Sequence, residues 1–280
     1  MPVTNQSGWD IYYETRGERS NPALLMILGL SHRLAHWGRL PSLLAERYFV
    51  ITFDCRGMGQ SEKRDEPFSI ADEISDITAV LDAASIQHCA VYGRSRGSML
   101  AQEFALSHGD RVKALILSGT GHRGPGSLGY SERVSKAMNF SPGMSREEIF
   151  RAQDEAMASP GWAERDPEAF TYCLATDLEA PPRRFAVVRQ QEALAGWSSH
   201  ERLPSLRMHV LVLCGEDDGM TPPANGKAVA DLVPGARFVS IPQCGHLPML
   251  EKPQFVAETV LAFLRGVSAT GGQVSDGLRT

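Results

Sequence analysis

The chain has 280 residues, of which 42% are hydrophobic and 22% charged, with a net charge of -5. That is ordinary globular composition, and with no long Lys/Arg run it leaves no footprint for nucleic-acid binding. No apolar stretch approaches the roughly 18 residues a membrane span needs, and Met1-Pro2-Val3-Thr4-Asn5 has neither a basic nor an apolar leader region, so a soluble, cytoplasmic chain without membrane contact is the expectation.

In chain order, Ile11-Tyr12-Tyr13-Glu14 reads as an antiparallel edge strand, and Ala23 to Leu28 and Tyr48 to Phe53 as buried strands. Ser69, with Asp72 three residues on, caps a helix whose Ile70, Ile74, Ile77, Leu81 and Ala84 mark one apolar face. Cys89 to Tyr92 is the next strand, Ser98 to Ser107 a helix, and Val112 to Ser118 a further strand. This alternation of strand and helix calls for a mostly parallel central sheet flanked by helices.

From about Arg123 to Leu203 the pattern changes. Helix-like stretches at Ser131 to Met138, Arg146 to Ala158, Pro167 to Ala175 and Arg183 to Leu194 are separated by Pro and Gly, with no β-branched strand runs. An all-helical insert is expected, its Met138, Phe140, Met144, Met157, Trp162, Phe170, Tyr172 and Trp197 suited to an apolar pocket lining or to packing. Strands resume at Val210 to Cys214 and Arg237 to Ile241. A last helix, Pro253 to Leu264, should turn Phe255, Val256, Val260 and Phe263 inward. The expected organisation is therefore a core over 1–122 and 204–265, a helical cap over 123–203, and a mobile polar tail over 266–280.

Chemistry is concentrated in three places. Gly93-Arg94-Ser95-Arg96-Gly97, between a strand and a helix, describes a nucleophile elbow, where flanking glycines are needed because a Cβ would clash with neighbouring backbone. A serine at its ordinary pKa is a poor nucleophile and needs a histidine base and an acid to orient it. His246, in the loop between the Ile241 strand and the Pro253 helix, is the best placed of eight histidines, and the others, including His32, His36 and His122, read as surface groups. The acid comes from Gly215-Glu216-Asp217-Asp218-Gly219, directly after the Val210 strand.

These segments resemble the α/β-hydrolase fold superfamily, in its branch of small capped esterases, lactonases such as 3-oxoadipate enol-lactonase, and carbon-carbon-bond hydrolases. The likeness spans about residues 10 to 265. It also rests on Asp54-Cys55-Arg56-Gly57-Met58-Gly59-Gln60-Ser61, on Thr221-Pro222-Pro223, on Gly245-His246-Leu247-Pro248 and on Glu251-Lys252-Pro253. It implies a Ser95, Asp218, His246 triad, since the family's acid falls on the fourth position counting Gly215 as the first, and an oxyanion hole from the N–H groups of Leu30 and Arg96. Two departures stand out. Leu28-Gly29-Leu30-Ser31 lacks the family's usual His-Gly, and arginines flank the serine, with Ser98 where a second glycine is common.

Gly119-Thr120-Gly121-His122-Arg123-Gly124 matches a dinucleotide pattern, but Pro125-Gly126 interrupts any following helix and no second strand follows, so a hinge into the insert is the better reading. No H-E-x-x-H cluster suggests a catalytic metal, and five cysteines scattered at 55, 89, 173, 214 and 244 suggest neither disulfides nor structural zinc. No cofactor or metal is expected. The resemblance implies a serine hydrolase acting on an apolar or, if Arg96 faces the pocket, partly anionic small ester or lactone, as a monomer or homodimer. Carbon-carbon cleavage or cofactor-free oxygenation on the same residues, and a hydrolase-derived ligand receptor, are the alternatives. Dehalogenases and epoxide hydrolases carry Asp at the elbow, so Ser95 argues against both.

Overall fold

A computed structural model describes residues 2–269. Its eight-stranded sheet comprises β1 (Val3–Thr4), β2 (Ile11–Arg16), β3 (Ala23–Ile27), β4 (Phe49–Phe53), β5 (Cys89–Arg94), β6 (Val112–Ser118), β7 (His209–Gly215) and β8 (Arg237–Ile241), in the order β1-β2-β4-β3-β5-β6-β7-β8. β2 runs antiparallel to both neighbours, and every pairing from β4 across to β8 is parallel.

The central strands β3, β4 and β5 are buried along their length because helices cover both faces. Side chains alternate across the sheet. Leu25 and Ile27 enter one core with Ile77, Leu100 and Phe104, while Leu24 and Met26 enter the other with Trp37, Tyr92 and Phe263. The helices are α1 (Leu40–Ala45), α2 (Ile70–Ala83), α3 (Arg96–Ser107), α4 (Glu132–Met138), α5 (Arg146–Met157), α6 (Trp162–Arg165), α7 (Pro167–Glu179), α8 (Arg184–Glu192), α9 (Pro223–Leu232), α10 (Pro248–Glu251) and α11 (Pro253–Ala269). α2 begins with a reciprocal Ser69–Asp72 capping box, as the sequence pattern requires. Between β6 and β7 the described residues form only helices, α4 to α8 and a short 3₁₀ turn. No helix among the described residues is long and apolar enough to cross a membrane.

Several expectations need correction. β2 is not the edge, because Val3–Thr4, too short to show a period, pairs outside it. α11 continues to Ala269, so residues 266–269 are helical rather than tail, since Val260, Phe263, Leu264 and the buried Val267 keep the apolar spacing past the expected end. Residues 270–280 of the expected tail lie outside the described residues. Phe255 falls off that stripe and is 39% exposed. In the helical segment, Trp162 and Phe170 pack edge to face at 5.4 Å within the core, whereas Phe140 and Tyr172 face solvent. They do not form one apolar lining.

Candidate active site

The parallel strands direct their C-terminal ends to one edge of the sheet, and the residues singled out by sequence meet there. Ser95 stands between β5 and α3 with φ 53° and ψ -124°, a backbone state that a residue with a side chain adopts only under constraint. The constraint is visible. The Ser95 N–H donates to Ser118 O at 2.8 Å, and a Cβ on Gly97 would lie 2.3 Å from the Ile27 and Leu28 carbonyls. One on Gly93 would lie 2.4 Å from Gly97 O. Both glycines are sterically required.

His246 Nε2 is 2.9 Å from Ser95 Oγ, and His246 Nδ1 is 2.7 Å from Asp218 Oδ2. The second Asp218 oxygen accepts from the N–H groups of Met220 and Thr221 at 2.9 and 2.7 Å, which fixes the carboxylate's orientation. Asp217 is exposed and turns away; its N–H donates to Cys244 O. Ser95 is half-buried, while His246 and Asp218 are buried. Burial lowers the His246 pKa below the ordinary 6.5, with Asp218 opposing and Arg94 adding to the fall. The imidazole is therefore neutral near pH 7 and able to accept a proton.

The His246 loop is held by a group that the sequence did not reveal. The buried Glu251 carboxylate accepts from Gly245 N at 3.0 Å, Leu247 N at 3.2 Å and Ser159 N at 2.9 Å, gripping both neighbours of His246 and the segment after α5. The His246 N–H itself donates to Met157 O at 2.7 Å. Gly119, expected only as a hinge, has φ 55°, and a Cβ there would lie 3.0 Å from His246 Cε1. It leaves room for the imidazole. Only the glycine-rich spelling hinted at this, because the contact joins residues 127 positions apart.

Gly29 approaches the elbow so closely that a Cβ would be 2.9 Å from Ser95 Cβ, which brings the Leu30 backbone beside the hydroxyl. The Leu30 N–H enters no backbone hydrogen bond among the described residues. Arg96 is the first residue of α3, so its N–H has no acceptor within the helix. Ser98 does not loosen the turn: its hydroxyl lies within hydrogen-bond distance of Ser95 O at 2.5 Å and Thr120 Oγ1 at 2.7 Å.

The two arginines differ. Arg96 forms a buried two-pronged pair with Glu73 and donates from Nε to Gln190 O at 2.9 Å, so its charge is spent inside the protein, and an anionic substrate group loses its expected partner. Arg94 has no carboxylate partner within ion-pair distance among the described residues. It donates to His246 O at 2.6 Å and to His32 Nδ1 at 3.0 Å, and burial pushes its pKa down to about 10. His32, His36 and His122 are buried, contrary to the surface expectation. Burial, with His36 and Arg94 nearby, lowers the His32 pKa well below the ordinary histidine value.

Known proteins are similar over nearly the whole chain. A putative carbamate hydrolase of Azorhizobium caulinodans is 26% identical over 263 residues, covering 94% of this chain and 98% of its own. The 3-oxoadipate enol-lactonase 2 of Acinetobacter baylyi is 25% identical and covers 90% of this chain and 92% of its own. Among solved structures, the enol-lactonase of Burkholderia xenovorans superposes with a TM-score of 0.79 at 23% identity, over 94% of this chain and 100% of its own, a likeness of fold. A family model described as alpha/beta hydrolase fold matches residues 22–253, and the chain belongs to that family.

Proposed function

We propose that the protein is a serine hydrolase that cleaves a carboxylic ester or lactone through an acyl-enzyme. The observation that carries the reading is the unbroken relay from Ser95 Oγ through His246 to Asp218, at 2.9 and 2.7 Å, on a strained turn. His246 Nε2 takes the Ser95 proton as Oγ bonds to the substrate carbonyl carbon. The oxygen that gains charge is met by the Leu30 and Arg96 N–H groups, while Asp218 holds the proton on Nδ1 and offsets the imidazolium charge. Collapse breaks the bond to the alcohol oxygen, which leaves with the proton from Nε2. Water, deprotonated by the same nitrogen, then attacks the acyl carbon and releases the acid and free Ser95. Helices α4 to α8 act as the cap over this edge, tied to it through Met157 and Ser159.

The activities for which the relatives are named, on a carbamate and an enol-lactone, support attack at an acyl carbon bearing a heteroatom. The test is a panel of p-nitrophenyl esters of increasing acyl length, several lactones and a 1,3-diketone, with fluorophosphonate labelling. The expected result is ester or lactone turnover, one adduct on Ser95, and loss of about a millionfold in kcat for Ser95→Ala. Labelling elsewhere overturns the mechanism, and turnover of the diketone alone overturns the reaction class.

A further inference from the structure

We propose that His36, Asp154, Cys173 and Asp177 form a binding site for one divalent cation of borderline or soft character, such as Zn²⁺, which clasps α5 and α7 to the turn after β3. Ligand atoms of Asp154, Cys173 and Asp177 lie within 4.8 Å of one another, and Asp177 also belongs to a second group of that spacing with His36 and His32. Cys173 and Asp177 stand four residues apart on α7 and share a face, with Asp154 brought opposite by α5. Zinc binds sulfur at about 2.3 Å and nitrogen or oxygen at about 2.0–2.2 Å, which sets donors roughly 3–4 Å apart, so the two groups, joined through Asp177, must draw together as the ion binds.

Two independent details point to a ligand. Asp154 is 2% exposed, and among the described residues its Oδ2 meets no hydrogen-bonding group other than the proposed co-ligands Cys173 and Asp177. The surroundings of His36 also suit a metal. Its Nε2 is 3.0 Å from Asp177 Oδ1, while its Nδ1 lies 3.1 Å from both the N–H and the carbonyl of Arg33. The backbone can therefore partner either tautomer. With Nδ1–H donating to Arg33 O, Nε2 is free to ligate, which is the usual support for a metal-bound histidine.

His32 is excluded by the same reasoning. A guanidinium only donates, so Arg94 on Nδ1 fixes the neutral His32 proton on Nε2 and leaves no lone pair for an ion. It stacks on His36 instead, with ring centroids 4.2 Å apart.

Without a cation, charge at the cluster is neutralised by protons. Burial and the neighbouring Asp177 raise the Asp154 pKa well above the carboxylate range, and burial keeps the Cys173 thiol protonated. On binding, M²⁺ takes the place of the Asp154 and Cys173 protons, which pass to solvent, and the His36 proton moves from Nε2 to Nδ1. One thiolate and two carboxylates against M²⁺ leave a single negative charge, near the Arg94 cation. The thiolate and imidazole select Zn²⁺ or Cd²⁺ over Mg²⁺ and Ca²⁺. Asp177, with its side chain 13% exposed, opens the way in.

The experiment uses the full chain, stripped with chelator and desalted, then titrated with CdCl₂ and ZnCl₂ while bound metal, the melting temperature and ultraviolet thiolate-to-cadmium absorption are followed. Expected are one equivalent bound per chain, a raised melting temperature, proton release in weak buffer and a cadmium-thiolate band. Asp154→Asn should weaken binding by on the order of a hundredfold, and Cys173→Ser should abolish the band. If either variant fails to fold, the wild-type chain decides. Absence of stoichiometric binding, or binding without the thiolate band, overturns the site and leaves a proton-sharing acid pair only. Retention of the band in folded Cys173→Ser overturns the ligand assignment.

Discussion

Glu73 of α2 grips Arg96, the residue after the proposed nucleophile, with both carboxylate oxygens, in a pair only 3% and 5% exposed at the side chains. An ion pair so placed is a poor source of net stability but a severe liability once broken, because the remaining charge stays buried. Glu73→Gln should therefore lower unfolding free energy by about 3–5 kcal/mol. Glu73→Leu with Arg96→Met should cost clearly less than either single change. Urea denaturation of Glu73→Gln, of the double variant and of its two single variants checks both statements, and additive losses would contradict them.

Asp217 and Asp218 are neighbours with opposite surroundings. Asp218→Asn should reduce kcat by about ten-thousandfold by stabilising the wrong His246 tautomer. Asp217→Asn, at an exposed position, should change it by less than about tenfold. Steady-state kinetics on the best ester or lactone ranks them, and a reversed ranking moves the acid by one residue.

His246 sets the pH dependence. In the proposed mechanism its neutral form is the base, and burial lowers its pKa below 6.5, so the acid limb of kcat/KM should fall below that value. Stability has the same sign. Between the lowered folded value and 6.5 the unfolded chain binds the proton and the folded one does not, so stability falls as pH drops through that window, and the buried His32 adds to the loss. A pH–rate profile together with urea midpoints at several pH values tests this. An acid limb above 6.5 would refute it.

Glu251 is expected to act by positioning. In Glu251→Gln one of the two accepting oxygens becomes an NH₂ that cannot accept, so either the Leu247 or the Ser159 contact is lost. A histidine displaced by about 1 Å can lose on the order of a hundredfold in rate. The expected signature is a fall in kcat with little change in KM and a shifted acid limb, in a protein that remains folded by circular dichroism. A change confined to melting temperature would reduce Glu251 to a structural role.

What the sequence made legible was whatever is written locally. The Ser69–Asp72 cap, the apolar runs of β3 to β6 and the Gly-x-Ser-x-Gly turn each depend on neighbours within a few residues, and the fold family follows from them. Ser95, Asp218 and His246 could be named because each sits just past a readable strand. Glu251, Gly119 and Arg94 were opaque because their roles come from contacts across the fold. The same holds for His32 and His36: a loop position in sequence does not disclose that another helix will cover it. The end of α11 was missed for a simpler reason, since Gly266 and Ser268 masked the continuing apolar stripe.

The anchoring of His246 to Met157 O, and of Ser159 to Glu251, gives the lid and the base a shared mechanical fate. A bulky substrate that forces the end of α5 outward drags the imidazole's own backbone with it and detunes the proton relay. Under the proposed function, discrimination by size is exercised at the chemical step as well as at the entrance, and oversized esters should bind yet turn over poorly.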